Sequence, residues 1–251
     1  MSKKSTGLTA ESVPVLKRIG KRALRVPGSK SLTTRAIMLG ALGAGRTVLH
    51  QPLKSDDTNL LADAMGSIGV GVKWSSNKLI LHGVDGKPPH GAAVHLGAGG
   101  TPSRFMIAVG SLASEPVTVD GDGRLRQRPI GELLSMLQQI GVTFDGEQLP
   151  LTVDGSNIHG GSIDVPVTKS SQFISALMLI APFVDDGITL NCQLPMTSES
   201  YIDLTIDVLK TFGVEVQSTT NETQRIMTIP QTRITHREIE IEPDASSAVY
   251  F

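Results

Sequence analysis

Apolar residues along this chain fall into a pattern that repeats. Ile68-Gly69-Val70, Ile140-Gly141-Val142 and Phe212-Gly213-Val214 recur at a constant spacing of 72 residues, the signature of three copies of one supersecondary unit. Upstream of each glycine one register holds. Leu60, Leu61, Ala64, Met65 and Ile68 correspond to Glu132, Leu133, Met136, Leu137 and Ile140, then to Leu204, Thr205, Val208, Leu209 and Phe212. These offsets trace one face of an amphipathic helix. The glycine is placed as the C′ residue, free to take the left-handed conformation that closes a helix. Alternation follows in Val70, Val72 and Trp74, in Val142 and Phe144, and in Val214 and Val216, the period of a half-buried strand. A second strand (Leu79 to Leu81, Leu149 to Val153, Ile226 to Ile229) closes each unit as a hairpin.

A different helix opens each unit. Ala36 to Leu42, Phe105 to Gly110 and Phe173 to Ile180 are apolar nearly all the way round, so they belong inside. Each precedes a β-rich segment: Arg46-Thr47-Val48-Leu49, Pro116-Val117-Thr118-Val119 and Gly187-Ile188-Thr189-Leu190. The fold class expected is α/β (α+β), with three βαβαββ units about a pseudo-threefold axis, apolar helices central and sheets outside. Glu240 to Phe251 reads as the opening of a fourth unit that stops after about two turns. We therefore expect residues 26–239 to form a three-repeat domain and 240–251 to begin a second, truncated one.

Composition narrows the partners. With 23 basic against 24 acidic side chains the formal net charge is −1, which excludes nucleic-acid binding driven by bulk charge. At 39% hydrophobic and 19% charged residues the chain can build a core and is not a disordered protein. The single Cys192 excludes an internal disulfide and a Cys-based zinc site, and reads as a small apolar strand residue. None of the six histidines has metal-ligand spacing, so no bound metal is expected. The longest apolar stretch, Phe173 to Val184, is interrupted by Ser175 and Pro182 and falls short of the ~18 residues a membrane span needs. The expectation is a soluble, cytoplasmic protein.

Candidate chemistry sits before each buried helix. The clusters are Pro27-Gly28-Ser29-Lys30-Ser31 with Arg35, Gly97-Ala98-Gly99-Gly100-Thr101 with Arg104, and Thr168-Lys169-Ser170-Ser171-Gln172. Helix amino termini carry free N–H groups and about half a positive charge, so three such ends related by pseudo-symmetry make a composite anion site. Small polar residues there also serve as ordinary caps; Lys30, Arg35 and Lys169 are what favour a ligand. Gly121 to Ile130 supplies Arg124, Arg126 and Arg128, which in an extended run would share one face and could clamp a phosphate or carboxylate. At the same point the third unit carries Ser198-Glu199-Ser200-Tyr201, and the first carries Ser55-Asp56-Asp57-Thr58, which reads as a helix cap.

Taken together, Pro27-Gly28-Ser29-Lys30-Ser31-x-x-x-Arg35, Gly99-Gly100-Thr101-x-x-Arg104, Arg124-x-x-x-Arg128-Pro129-Ile130-Gly131, Ser170-Ser171-Gln172-Phe173, Tyr201-Ile202-Asp203 and Asp244-Ala245-Ser246-Ser247-Ala248 resemble the amino-terminal half of the 5-enolpyruvylshikimate-3-phosphate synthase family of enolpyruvyl transferases. The resemblance implies an inside-out barrel of three βαβαββ units joined by two crossovers to a second such domain. The strand from about Val15 to Leu24 would belong to that other domain, as would everything after about Glu240. It further implies transfer of the carboxyvinyl group of phosphoenolpyruvate to the 5-hydroxyl of shikimate 3-phosphate, by addition and then elimination of phosphate, without metal or organic cofactor.

Carried over by motif, Lys30 would contact both substrates, and Ser31 and Arg35 would grip the shikimate carboxylate and ring side. Ser170, Ser171 and Ser198 would hold the shikimate phosphate, Gln172 and Tyr201 would line the shared cleft, and Gly100 and Arg124 would face phosphoenolpyruvate. Two departures bear on the phosphoenolpyruvate pocket and on sensitivity to glyphosate: Ala98-Gly99-Gly100-Thr101 stands where the family usually has Asn-Ala-Gly-Thr, and Phe105 where it usually has Pro. The family's proton-transferring Asp and Glu would lie beyond Phe251, so the 251-residue chain is expected to need a carboxyl-terminal half as partner for turnover. The related transferase of UDP-N-acetylglucosamine is the nearest alternative. It typically has Lys-Asn where this chain has Lys30-Ser31, and a loop cysteine that is absent from Gly121 to Arg128. A non-catalytic anion-binding module on the same fold is the other alternative.

Overall fold

The computed structural model describes residues 26–249. The first unit comprises α1 (Lys30–Leu42), β1 (Ala44–His50), α2 (Asp56–Ser67), β2 (Gly71–Trp74) and β3 (Lys78–Val84). The second comprises β4 (Ala93–His95), α3 (Gly100–Gly110), β5 (Val117–Asp120), a single turn α4 (Gly123–Arg126), α5 (Gly131–Gln138), β6 (Thr143–Phe144) and β7 (Leu151–Asp154). The third comprises β8 (Gly161–Val165), α6 (Ser171–Ile180), β9 (Ile188–Gln193), α7 (Glu199–Thr211), β10 (Gln217–Thr220) and β11 (Gln224–Ile229). β12 (Arg237–Glu240) and the short α8 (Ala245–Ala248) follow. The strand expected at Val15 to Leu24 lies outside the described residues.

Each unit owns a four-stranded sheet, in the orders β12-β1-β3-β2, β4-β5-β7-β6 and β10-β11-β9-β8. In the second and third sheets the lead-in strand is joined to its neighbour through a buried helix, and β4–β5 and β8–β9 are accordingly parallel. The hairpins behind them are antiparallel. In the first sheet the lead-in place is taken by β12, parallel to β1 from Thr47↔Arg237 to His50↔Glu240. The ring of units is thereby closed by a segment from the far end of the fold.

The amphipathic helices end alike. Val70, Val142 and Val214 each donate a backbone N–H to the carbonyl five residues back, on Met65, Leu137 and Leu209, which is a Schellman closure. It requires the preceding residue to turn left-handed, and Gly69, Gly141 and Gly213 have φ of 108°, 85° and 86°. The third unit departs from the expected strand: Val214 is the buried residue of its closure, as Val70 and Val142 are of theirs, but β10 starts only at Gln217, and its four residues are all exposed.

α1, α3 and α6 form the centre: α6 packs on α3 and α1, and α1 and α3 pack on the inner faces of their sheets. Every residue of α1 from Thr33 to Leu42 is buried, as is every residue of α6 from Phe173 to Ile180. Cys192 is fully buried in β9; burial pushes its thiol up to about 12, with Arg225 a smaller opposing influence, so it is not a nucleophile. No helix among the described residues is long and apolar enough to cross a membrane. Pro27–Ser29 and Glu242–Asp244 run side by side: Ser29 N–H donates to the Glu242 carbonyl and Asp244 N–H to the Pro27 carbonyl, both at 2.8 Å, around a Gly28↔Pro243 bridge.

Candidate functional site

The buried helices all begin at one end of the domain. There α1, α6 and α7 open onto a cleft of about 270 Å³ that brings together Lys30, Ser31, Arg35, Ser170, Ser171, Gln172, Ser198 and Tyr201, with Thr34, Asp57, Thr101, Lys169 and Thr197. An adjoining cleft of about 310 Å³ shares Lys169, Ser170 and Gln172 and adds Arg104, Arg128, Pro129, Glu132 and Phe173. The three clusters that lie far apart in sequence are therefore one surface.

Local chemistry sets each helix start. Ser29 and Ser170 cap α1 and α6, their hydroxyls accepting from Leu32 N–H at 3.4 Å and Gln172 N–H at 3.3 Å. The starts of α3 and α7 have no side-chain cap: Gly99 has no side chain to offer, and Ser198 sits left-handed at φ 53°. That conformation is costly for a residue with a Cβ, and it frees the Ser198 hydroxyl from capping. Thr197 anchors the segment, its hydroxyl donating to the Thr168 carbonyl at 2.8 Å. Arg225 holds the first turn of α7 against β11, pairing with Glu199 at 3.0 Å and Asp203 at 2.9 Å.

Two arginines rise from the same places in successive units. Arg35 and Arg104 each donate through Nη1 to the carbonyl four residues back, on Ser31 and Gly100, both at 3.1 Å. Each lies over a phenylalanine of the next unit, Phe105 at 5.7 Å and Phe173 at 5.3 Å. Arg104 also donates to Gln172 Oε1 at 2.8 Å, which joins the two clefts. Burial, and secondarily the nearby Arg128, holds its guanidinium below the usual range.

Lys30 pairs with Asp57 at 3.3 Å. The capping box expected at Ser55–Thr58 is present, but Asp57, read only as part of that cap, also reaches the cleft. Thr101, Arg104, Arg128 and Lys169, which the sequence placed in candidate anion clusters without a specific substrate role, complete the walls, together with Thr197, which it did not single out.

The expectation for Arg124 is corrected. Asp122 accepts from Leu125 N–H at 2.8 Å and caps a turn of helix, so the three arginines are not an extended run and do not share a face. Arg126 is bound to Asp120, and Arg124 is exposed and lines neither cleft. Arg128 is the residue that reaches the start of α3: a Cβ on Gly100 would stand 2.1 Å from its Nη1. Its signal was Pro129, which ends the turn and fixes the direction of the residue before it. Gly100 is buried beneath this arginine, where only a missing side chain allows so close an approach.

A family model described as EPSP synthase (3-phosphoshikimate 1-carboxyvinyltransferase) matches residues 18–251. Among curated relatives, a 3-phosphoshikimate 1-carboxyvinyltransferase of Nostoc sp. is 33% identical over 248 residues, covering 96% of this chain and 58% of the relative. One from Janthinobacterium sp. is 36% identical over 242 residues, covering 92% of this chain and 54% of the relative. The chain thus spans little more than half the length of these relatives. An EPSP synthase structure from Acinetobacter baumannii superposes with a TM-score of 0.77 at 22% identity, over 90% of this chain and 51% of that one. From the family match and the shared fold, this chain belongs to the EPSP synthase (3-phosphoshikimate 1-carboxyvinyltransferase) family.

Proposed function

We propose that the cleft binds shikimate 3-phosphate and phosphoenolpyruvate and that the chain supplies the shikimate 3-phosphate side of a carboxyvinyl transferase. The observation that carries this reading is the convergence of helix starts, Lys30, Arg35, Lys169 and eight hydroxyl side chains on a single cleft. Ser170, Ser171 and Ser198 would take the phosphate of shikimate 3-phosphate at the beginnings of α6 and α7, and Ser31 and Arg35 its carboxylate, with Tyr201 and Gln172 along the ring. Phosphoenolpyruvate would lie toward the open start of α3, held by Gly100 N–H, Arg128 and Lys30. Holding two polyanions side by side is the electrostatic part of catalysis: fixed cations and helix ends offset their repulsion and bring the 5-hydroxyl to the phosphate-bearing enol carbon of phosphoenolpyruvate.

In this reading the groups that move protons come from the part of the relatives' length that this chain does not match, and that part is the chain's partner. In the same reading residues 26–239 are one domain, and 240–251 would lead to the other, as would 1–25, which lie outside the described residues; the adjacent course of Pro27–Ser29 and Glu242–Asp244 supports two such crossings. The lone buried Cys192 suits a reducing, cytoplasmic setting.

Titration calorimetry tests the reading. Shikimate 3-phosphate is expected to bind one to one, with inorganic phosphate competing weakly and UDP-N-acetylglucosamine not at all; absence of shikimate 3-phosphate binding refutes it. A second prediction concerns Gly100→Ala. The new methyl would meet Arg128 Nη1 at 2.1 Å and Arg104 Nη1 at 2.8 Å. Both are ends of flexible side chains, so the fold survives and the guanidiniums swing aside. Phosphoenolpyruvate affinity, measured with shikimate 3-phosphate present, should fall about tenfold, the weight of one charge-assisted contact, while shikimate 3-phosphate affinity stays unchanged.

A further inference from the structure

Arg35 is only 2% exposed and no carboxylate among the described residues lies within ion-pair distance of it. Its surroundings are neutral acceptors. Nε donates to Thr205 Oγ1 at 2.8 Å, Nη2 to Ser175 Oγ at 3.0 Å and to the Tyr201 carbonyl at 3.3 Å, and Nη1 to the Ser31 carbonyl at 3.1 Å. Of the five N–H groups of a guanidinium, one on Nη1 is left for the cleft.

Thr205 and Ser175 do not line that cleft, and both are fully buried. Their hydroxyls lie 2.9 Å apart, and Thr205 Oγ1 also reaches the Tyr201 carbonyl at 2.7 Å. One assignment of protons satisfies everything. The Thr205 hydroxyl donates to Tyr201 and accepts from Arg35 and Ser175, while Ser175 donates to Thr205 and accepts from Arg35. A fully satisfied buried network of this kind has a single arrangement, so it fixes the plane of the guanidinium and ties it to the turn of α7 that carries Tyr201.

The repeat shows that this is a departure from packing. Thr205 occupies the register position held by Leu61 and Leu133 in the other units, where an apolar side chain serves the core. By the same pseudo-threefold relation, Leu61 stands toward Arg104 as Thr205 stands toward Arg35, and Arg104 Nε is buried without a partner. At this register position only the third unit carries a hydroxyl, and it does so where an arginine must be aimed.

We propose that Thr205 and Ser175 are positioning residues that aim Arg35 at an anionic group of the bound ligand. This rests on the reading that the ligand is shikimate 3-phosphate, with its carboxylate toward Arg35 and its phosphate on Ser170, Ser171 and Ser198. Thr205→Val keeps the shape and removes the acceptor. Calorimetry on the full chain should show shikimate 3-phosphate affinity reduced about tenfold, inorganic phosphate affinity unchanged, and Thr205→Ser close to the parent; Ser175→Ala should lose affinity in the same sense should Thr205→Val fold poorly. Unchanged shikimate 3-phosphate affinity in folded Thr205→Val or Ser175→Ala overturns the proposal, as does parallel loss of both ligands, which would mark a collapsed cleft. If the parent chain itself fails to bind shikimate 3-phosphate, the functional reading falls, and this proposal with it.

Discussion

Arg35→Met should melt no lower than the parent chain while losing roughly a hundredfold or more in affinity for shikimate 3-phosphate, the loss expected when a buried charged contact is truncated. The reason is the mismatch between where Arg35 sits and what surrounds it. Burial pulls its guanidinium from the usual arginine range down to about 10, with Tyr201 a smaller opposing influence. The sign follows from the direction. At neutral pH the group is charged in both folded and unfolded chains, so the cost of burying the charge is fully present there. It fades only as the pH rises through about 10 toward the usual arginine range. That shift corresponds to roughly 3 kcal/mol, as an order of magnitude, acting against the fold.

Methionine removes the buried charge at similar volume, and Thr205 and Ser175 still bond each other and the Tyr201 carbonyl. Exchanging a buried charged group for a packed apolar one is commonly neutral or stabilising. A thermal melt and a shikimate 3-phosphate titration of one preparation decide the matter. A midpoint lowered by many degrees would make Arg35 a strut between α1, α6 and α7; retained affinity would remove it from the site.

What could be read without coordinates was whatever is local or repeated. Hydrophobic offsets located α2, α5 and α7, three glycines at one spacing marked their ends, and the all-apolar runs identified the central helices, because each signal is written within a dozen residues. The sheet closure was not legible. β12 pairs with β1 across nearly the whole fold, and no local pattern states which strand fills the empty lead-in place. Val214 was misread for a subtler reason: a buried valine after a helix serves a cap as well as a strand, and periodicity does not distinguish the two. Thr205 stood in plain view as a polar residue where the other two units have leucine, but its meaning required knowing that Arg35 of another unit ends beside it. Arg124 was the costliest error. The alternation rule was applied to a segment in which Asp122 and the position of Leu125 already announce a helical turn.

Arg128→Ala should weaken phosphoenolpyruvate binding to the chain saturated with shikimate 3-phosphate by roughly ten- to a hundredfold, the range for one lost charge-assisted partner of an anion. Arg124→Ala should leave it within about twofold, as expected for an exposed charge. Arg128 lies against Gly100 at the uncapped start of α3, close enough to Arg104 to hold that guanidinium below its usual range in addition to the larger influence of burial. Two like charges facing an open helix amino terminus repel each other until an anion sits between them, so an anion gains from both and from the helix end together. Arg124 faces solvent one turn earlier and has no hydrogen-bonding or ion-pair partner among the described residues. Paired titrations of the two variants separate the possibilities directly: a larger loss in Arg124→Ala than in Arg128→Ala would place the phosphoenolpyruvate contact on α4 and overturn the assignment of the second cleft.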